Sequence, residues 1–168
     1  MQITAMLPDY WPDVKNIYES GLATGNASFQ TSAPSWNEWD QSHLQHSRLI
    51  ALDGHVVVGW VALTPVSGRC VYAGVAEVSI YISDAYRGRG VGKALLKALI
   101  ASSETNNIWT LQAGIFPENV ASVKLHEQAG FRQVGCREKI GKMRDRWRDT
   151  LLLERRSKVV GVDGVRQS

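Results

Sequence analysis

The sequence predicts a single domain of mixed α/β (α+β) class, with helices flanking a mostly antiparallel central sheet. Residues 48–63 give the strongest hairpin signal, two apolar stretches joined by Asp53-Gly54. Residues 77–93 then change from period-two alternation to a glycine-rich turn and helical spacing. With 168 residues the chain is long enough for one core and too short for two ordinary domains.

The first half of the chain is predicted to contain two helices and four strands. Pro8 suits the first turn of a helix that runs to about Ala23. Ser35 and Glu38 have the spacing of a capping box and begin the second helix. The strands are predicted at residues 2–6, 48–52, 55–63 and 76–82. The third strand is apolar on both faces, which is typical of a central position in the sheet.

The second half is predicted to contain two helices and three strands. One helix runs from Val91 to about Ser103, and Asn119 caps another that ends at Gly130. The strands are predicted at residues 109–116, 131–135 and 150–154, with the basic segment 137–148 joining the last two. We expect the domain to span residues 1–155 and residues 156–168 to form a flexible tail.

Composition argues against several classes of protein. No apolar run approaches the roughly 20 residues that cross a bilayer, and the N-terminus has no secretory signal features, so we expect a cytoplasmic protein without a membrane partner. Cys70 and Cys136 are the only cysteines, too few for a disulfide framework or a metal-ligand cluster. Without such a cluster we expect no metal. The net charge is +3 and there is no nucleic-acid-binding motif, so we expect no nucleic acid partner.

Three residues between residues 25 and 48 allow more than one interpretation. Phe29 is a large apolar side chain in a polar connection, and it either packs into the core or lines a pocket. His43 and His46 are three residues apart and could face one metal ion. Because no third ligand is near, surface histidines are the preferred interpretation.

The stretch from Glu77 to Lys93, EVSIYISDAYRGRGVGK, predicts a strand, a basic glycine loop and a helix. The loop contains Gly88, Gly90 and Gly92, with Arg87, Arg89 and Lys93 among them. Glycine permits positive φ, and the unpaired N–H groups of a helix start attract anions, so the loop predicts a phosphate site. The glycine spacing does not fit a dinucleotide fingerprint, and no Lys-Ser or Lys-Thr completes a P-loop.

The loop resembles the acetyl-CoA loop of the GCN5-related N-acetyltransferase (GNAT) superfamily. That signature, Arg or Gln, two residues, Gly, one residue, Gly, is met by Arg87, Gly90 and Gly92. The resemblance implies the GNAT fold, in which the central sheet splays after the fourth strand. Splaying leaves backbone groups free for the pantetheine amides of coenzyme A.

A second motif of the superfamily consists of Asn, a Ser three residues on, and an ending of Tyr-Glu-x-x-Gly-Phe. Here it reads Asn119, Ser122 and HEQAGF, with His126 in place of Tyr. Imidazole titrates near pH 6.5 and phenol near 10, so this departure changes the available proton chemistry. By resemblance, the residues expected to bind acetyl-CoA are Val78, Ile80, Ile82, Arg87, Gly88, Arg89, Gly90, Val91, Gly92, Lys93, Asn119 and Ser122.

Residues 2–155 resemble a narrower branch, the phosphinothricin and methionine sulfoximine N-acetyltransferases. The matching features are GNASFQTSAPSWNEW, the triplet Arg69, Tyr72 and Glu77, and RWRDTLLLER. That branch has His at the position of His126. The resemblance implies acetylation of the α-amino group of phosphinothricin, methionine sulfoximine or methionine sulfone, and a homodimer whose site borrows residues across its interface.

Acetyl transfer to an ammonium needs a base, and Glu77 is the first candidate. The alternative is a salt bridge between Glu77 and Arg69 or another cation. His126 could be an acid toward the thiolate, a second base or a structural residue. Arg69 and Tyr72 suit a substrate carboxylate or phosphinate, and Phe29 could be an apolar wall.

Some functional alternatives remain open at the level of sequence. Trp147, Arg148 and Asp149 could complete the substrate pocket or form a strand edge. The acceptor could also be another small amine or a protein N-terminus. A third possibility is a sensor domain that binds acyl-CoA without turnover.

Overall fold

The computed structural model describes residues 1–163 as one seven-stranded sheet with helices on both faces. Its strands are β1 (Gln2–Ala5), β2 (Leu49–Asp53), β3 (Val56–Pro65), β4 (Val75–Ile82), β5 (Thr110–Ile115), β6 (Arg132–Met143) and β7 (Arg146–Arg156). Its α-helices are α1 (Trp11–Ala23), α2 (Trp36–Ser42), α3 (Val91–Thr105) and α4 (Val120–Gln128). None of these helices in residues 1–163 is long and apolar enough to cross a membrane.

The sheet is mixed, as predicted, with the order β1-β2-β3-β4-β5-β7-β6. Neighbouring strands are antiparallel except β4 and β5, which run parallel. Parallel neighbours need a crossover connection, and here the loop after β4 and helix α3 provide it. The end of β4, the loop and the start of α3 are therefore brought to one edge of the β4–β5 junction.

Two apolar clusters cover the two faces of the sheet. The face toward α3 is aliphatic and contains Leu95, Leu96 and Leu99 of that helix. The face toward α1 and α2 is aromatic, with Trp60 of β3 stacked 5.1 Å from Tyr81 of β4. β3 contributes to both clusters, which confirms that it is a central strand buried on both faces.

The C-terminal strands differ from the prediction of two short strands joined by a basic connector. β6 and β7 form one long hairpin, and the basic residues of 137–148 mostly lie on its exposed surface. The hairpin turns at Arg144 and Asp145, which have φ of 49° and 62°. Positive φ at a turn is usually signalled by glycine, and neither of these two residues is glycine. The sequence therefore did not predict this turn.

The segment after β7 packs back on the domain. The Ser157 N–H donates to the Trp109 carbonyl at 2.8 Å, and its hydroxyl donates to Glu104 at 2.6 Å. Arg156 donates to the Val160 carbonyl at 2.8 Å. Of the predicted tail 156–168, the first residues are thus hydrogen-bonded to α3 and to the start of β5, and residues 164–168 lie outside the described part of the chain.

Candidate acyl-transfer site

A cleft of about 1150 Å³ opens where β4 and β5 separate. The two strands are paired only from Val75 with Thr110 to Glu77 with Gln112. Beyond Glu77, β4 continues beside β3 as far as Ile82, and no strand of residues 1–163 pairs with its other side. This is the splay after the fourth strand that the sequence resemblance implied.

The hydrogen-bond alternation of β4 shows which peptide groups face the cleft. The Ser83 N–H donates to the Val58 carbonyl of β3 at 2.9 Å. In an antiparallel pair every second residue makes such bonds, so the odd-numbered residues of β4 are those bonded to β3. Val78, Ile80 and Ile82 therefore direct their N–H and C=O groups toward the cleft.

Side chains of β4 divide between the two faces of the sheet. Val78, Ile80 and Ile82 belong to the aliphatic cluster against α3. Residues of the opposite parity, including Glu77 and Tyr81, face α1. The cleft is thus lined on one side by peptide groups and on another by a carboxylate and a phenol.

Glu77 lies at the apex of the splay, in the last residue pair before the strands part. Its Oε1 accepts a hydrogen bond from Gln112 Nε2 at 3.1 Å. Within the described residues, Glu77 has no ion pair with Lys, Arg or His, and the salt bridge with Arg69 is not formed. Sequence reasoning missed Gln112, since only the strand register brings it to Glu77.

The glycine loop has an open backbone suited to an anion. Gly88 and Gly90 have φ of +71° and +82°, and a methyl group added at either would contact nothing within 4 Å. Gly90 is the N-cap of α3, where the first helical bond runs from Ala94 N–H to the Gly90 carbonyl at 3.1 Å. The N–H groups of Val91, Gly92 and Lys93 precede that bond and can be offered to a phosphate.

The cations of the loop are exposed, and two of them have partners within it. Arg87 pairs with Asp84 at 3.0 Å, and the Arg89 guanidinium lies 4.7 Å from the Tyr86 ring centroid.

Gly92 has a second function that sequence reasoning missed. A methyl group there would lie 2.8 Å from Leu125 Cδ2, so glycine permits close packing of α3 on α4.

Asn119 and Ser122 are placed at the start of α4, on the opposite wall of the cleft. The Asn119 side chain caps the helix as predicted, accepting from the Ser122 N–H at 3.3 Å. Its Nδ2 also donates to the Asn26 carbonyl at 3.2 Å. Asn119 therefore joins α4 to the loop that follows α1.

His126 is 2% exposed and borders the cleft. Its Nδ1 donates to the Ser122 carbonyl at 2.7 Å, whereas Nε2 has no protein partner within residues 1–163. Burial lowers the pKa of His126, and the bond to Ser122 only partly opposes that effect. The ring is therefore neutral at pH 7, with its proton on Nδ1 and an acceptor lone pair on Nε2.

The α1 side of the cleft is aromatic and polar. The Tyr18 hydroxyl donates to Gln30, and the Tyr18 and Tyr81 rings lie 4.7 Å apart. Burial raises the pKa of both phenols, so both remain protonated. Gly21 is in contact with Tyr81, where a methyl group would lie 2.5 Å from the ring. The sequence did not predict these contacts, because they join distant elements.

His43 and His46, which the sequence predicts to be surface histidines, each keep only part of the side chain at the surface. Both are half-buried, and burial lowers the pKa of each. His43 stacks on Trp39 with ring centroids 4.0 Å apart and borders the cleft. Residues 1–163 contain no group of three His, Cys, Asp or Glu side chains placed to hold a metal.

Three predicted substrate residues lie outside the lining of this cleft. Phe29 packs edge-on against Phe116, with ring centroids 5.0 Å apart, and lies against Gly141. Arg69 and Tyr72 are exposed on the loop between β3 and β4, with the guanidinium 5.7 Å from the ring centroid. The single chain therefore brings Glu77 and His126 to the cleft but not Phe29, Arg69 or Tyr72.

Comparison with known proteins matches residues 6–131 to the Acetyltransferase (GNAT) family. Phosphinothricin N-acetyltransferase of Alcaligenes faecalis is 31% identical over 158 residues, covering 88% of this chain and 78% of that protein. L-methionine sulfoximine/L-methionine sulfone acetyltransferase of Salmonella typhimurium is 28% identical over 120 residues, covering 71% and 70%. The structure of ribosomal-protein-alanine N-acetyltransferase from Brucella melitensis aligns with a TM-score of 0.86 and 25% identity, covering 94% and 100%.

The buried neutral state of His126 predicts a loss of stability in acid. Below about pH 6.5 the unfolded chain binds a proton at this residue that the folded chain does not. The free energy of unfolding therefore decreases as the pH is lowered. One such group contributes a slope of at most about 1.4 kcal/mol per pH unit. Urea unfolding from pH 5.0 to 7.5 should give a smaller slope for His126→Gln than for the wild type. Equal slopes would contradict this assignment.

Proposed function

Since this chain belongs to the GNAT family of acetyltransferases, we propose that it acetylates the α-amino group of a small amino-acid analogue, with acetyl-CoA as donor. The acceptor class is of the phosphinothricin, methionine sulfoximine or methionine sulfone type. The observation that carries the proposal is the cleft at the splay of β4 and β5, with Glu77 at its apex. The names of the two sequence relatives support the acceptor class.

The described residues fit acetyl-CoA. The unpaired peptide groups of Val78 and Ile80 suit the pantetheine amides, as an added strand would. The loop with Gly88 and Gly90 and the first turn of α3 suit a pyrophosphate, and Lys93 adds positive charge. When bound there, acetyl-CoA supplies the activated acetyl group of the reaction.

Glu77 is proposed as the base that takes a proton from the substrate ammonium, directly or through water. An alkyl ammonium is mostly charged at pH 7 and has no lone pair for attack until this proton leaves. The bond from Gln112 orients the Glu77 carboxylate, and no ion pair within residues 1–163 competes with it. Backbone N–H groups near Val78 and Ile80 would polarise the acetyl carbonyl. When the amine attacks that carbonyl, a C–N bond forms and the C–S bond breaks; the nitrogen loses its second proton and the departing thiolate gains one.

His126 is proposed as a proton acceptor in this site. Its Nδ1 proton is engaged by the Ser122 carbonyl, which leaves the Nε2 lone pair as the available group. A lowered pKa disfavours a charged imidazolium waiting to protonate the thiolate. A second base, or an acceptor for an N–H of a bound molecule, fits the geometry better than a preformed acid.

Arg69 and Tyr72 remain the proposed partners of the substrate carboxylate or phosphinate. Their side chains are exposed beside β4 and could reach a cleft after movement of their loop, or reach the cleft of a second subunit.

A homodimer is part of the proposal. β6 is an edge strand with Val134 and Ile140 exposed, and Trp147 on β7 is 57% exposed. Large apolar side chains exposed on an edge strand and on its neighbour favour an interface.

A second candidate is transfer to an amine that lacks a free carboxylate, such as a protein N-terminus. The cleft wall formed by α1, α2 and their connection has no Arg or Lys side chain among its residues within 1–163. The alignment with ribosomal-protein-alanine N-acetyltransferase also favours this candidate. A non-catalytic sensor is disfavoured by the Glu77 carboxylate, which borders the cleft and has no ion pair within residues 1–163.

A panel of acceptors decides between these candidates. We expect acetyl-CoA-dependent thiol release with methionine sulfone, methionine sulfoximine or phosphinothricin, and at least tenfold lower kcat/KM for the same amine without its α-carboxylate, because the proposed ion pair with Arg69 would be lost. Faster turnover of the decarboxylated amine or of an alanine-initiated peptide would favour the second candidate. Acetyl-CoA binding without thiol release for any amine would indicate a sensor.

Removal of the proposed base should separate catalysis from binding. We expect Glu77→Gln to lower kcat by about 10²–10⁴-fold, the usual contribution of general base catalysis. Calorimetry should show unchanged acetyl-CoA affinity, because Glu77 faces α1 and not the glycine loop. Glu19→Gln, an exposed glutamate of α1, is the matched control. Wild-type kcat in Glu77→Gln would rule out Glu77 as the base.

The proposed dimer is tested at Trp147. Trp147→Arg replaces an exposed apolar side chain by a charge, so it should disrupt an interface without disturbing the core. Light scattering coupled to gel filtration should report a dimer for the wild type and a shift toward monomer for the variant. Arg132→Gln, which removes an exposed pair with Glu154, is the control. A monomeric wild type would refute the dimer.

A further inference from the structure

Arg148 of β7 is a charged side chain that is only 7% exposed, beside the cleft rather than in it. Its Nη1 donates to the Gly25 carbonyl at 2.9 Å. Its Nη2 donates to Asn26 Oδ1 at 3.0 Å and to Glu118 Oε2 at 3.3 Å. The guanidinium carbon lies 3.9 Å from the Phe116 ring centroid. A desolvated charge is tolerated in a protein only with partners of this kind.

The partners of Arg148 belong to two opposite walls of the cleft. Gly25 and Asn26 are part of residues 24–30, here named the acceptor loop, five of which border the cleft on the α1 side. Glu118 immediately precedes Asn119, the cap of α4 on the other wall. Asn119 adds a second link, from its Nδ2 to the Asn26 carbonyl at 3.2 Å. Arg148 therefore joins the two walls through one planar group.

The acceptor loop has little regular structure of its own. Gly25 has φ of +76°, which glycine adopts without strain, and Thr24 and Ser28 make only short-range bonds within or next to the loop. Phe29 anchors the far end of the loop on Phe116. The separation between this loop and α4 thus depends on Arg148, Asn119 and Phe29.

We infer that Arg148 is a positioning residue that sets the width of the acceptor end of the cleft. The inference rests on the proposed transfer to a small amine. Arg148 acts through Asn26 and Glu118, which border the cleft, and does not itself touch the substrate. Glu118 stays ionised at neutral pH, because its own backbone N–H and Arg148 lower its pKa. The Arg148–Glu118 pair is therefore charged at neutral pH.

Lysine cannot replace Arg148 in this arrangement. The guanidinium is a planar fork that serves two acceptors of the loop and one carboxylate at once. An ammonium is a single donor centre on a flexible stem. A residue needed only for its positive charge would tolerate lysine, whereas a spacer of fixed geometry would not.

The inference is tested by steady-state kinetics of Arg148→Met and Arg148→Lys. We expect at least a tenfold rise in KM for the amine in both variants, with KM for acetyl-CoA within about twofold of the wild type. Arg146→Gln is the matched control, because Arg146 is an exposed arginine of the same strand. Methylguanidinium added to Arg148→Ala should lower the amine KM again. An unchanged amine KM, or wild-type values in Arg148→Lys, would overturn the inference.

A second measurement covers variants that fold poorly and does not need turnover. Hydrogen exchange followed by mass spectrometry should show faster exchange in residues 24–30 of Arg148→Met, with α3 unchanged. Asn26→Ala removes one of the two bonds from Arg148 to the loop and keeps the bond to the Gly25 carbonyl, so it should raise the amine KM in the same direction by a smaller factor. If no amine is acetylated, the proposed function fails while the exchange result still stands. Unchanged exchange in residues 24–30 of Arg148→Met would overturn the inference.

Discussion

The short ladder between β4 and β5 is the constraint on which the site depends. Pairing stops at Glu77 and Gln112, although β4 continues to Ile82 beside β3. Peptide groups beyond this point must bond to water or to a ligand, because unpaired backbone groups are costly once buried. An extended molecule with amide groups is the natural complement of such an edge. The Gln112–Glu77 bond lies at the point where the strands part, so it links the splay to the orientation of the carboxylate.

The period of two in β4 separates two functions on one strand. Val78 and Ile80 turn their side chains into the aliphatic cluster and their peptide groups toward the cleft. Glu77 turns its side chain toward α1, where the aromatic cluster forms a wall. The donor and the acceptor can therefore approach the same few ångströms of β4 from different sides. A one-residue slip of register would exchange these faces and place the carboxylate in the aliphatic core.

Features determined by neighbouring residues were predictable from the sequence. Ser35 and Asn119 cap their helices as expected, and the glycine loop ends in a left-handed Gly90 at the start of α3. The residues that define each of these features lie within four positions of one another in the sequence, and motif spacing identified the family. The contacts of Gly21 with Tyr81 were not predictable, because they depend on how α1 packs on the sheet. The β6–β7 turn was missed because Arg144 takes the positive φ that is usual for glycine.

Stability alone does not explain why an arginine lies at position 148. Replacing a buried ion pair by an apolar side chain of similar volume is often neutral or favourable. Here the cost would be small, because the Glu118 side chain is 46% exposed and can be solvated without Arg148. An apolar residue could still pack on Phe116, but it could not bond Gly25 and Asn26. Unlike an apolar residue, the guanidinium fixes the position of the acceptor loop relative to α4. That position determines which amines the cleft can admit.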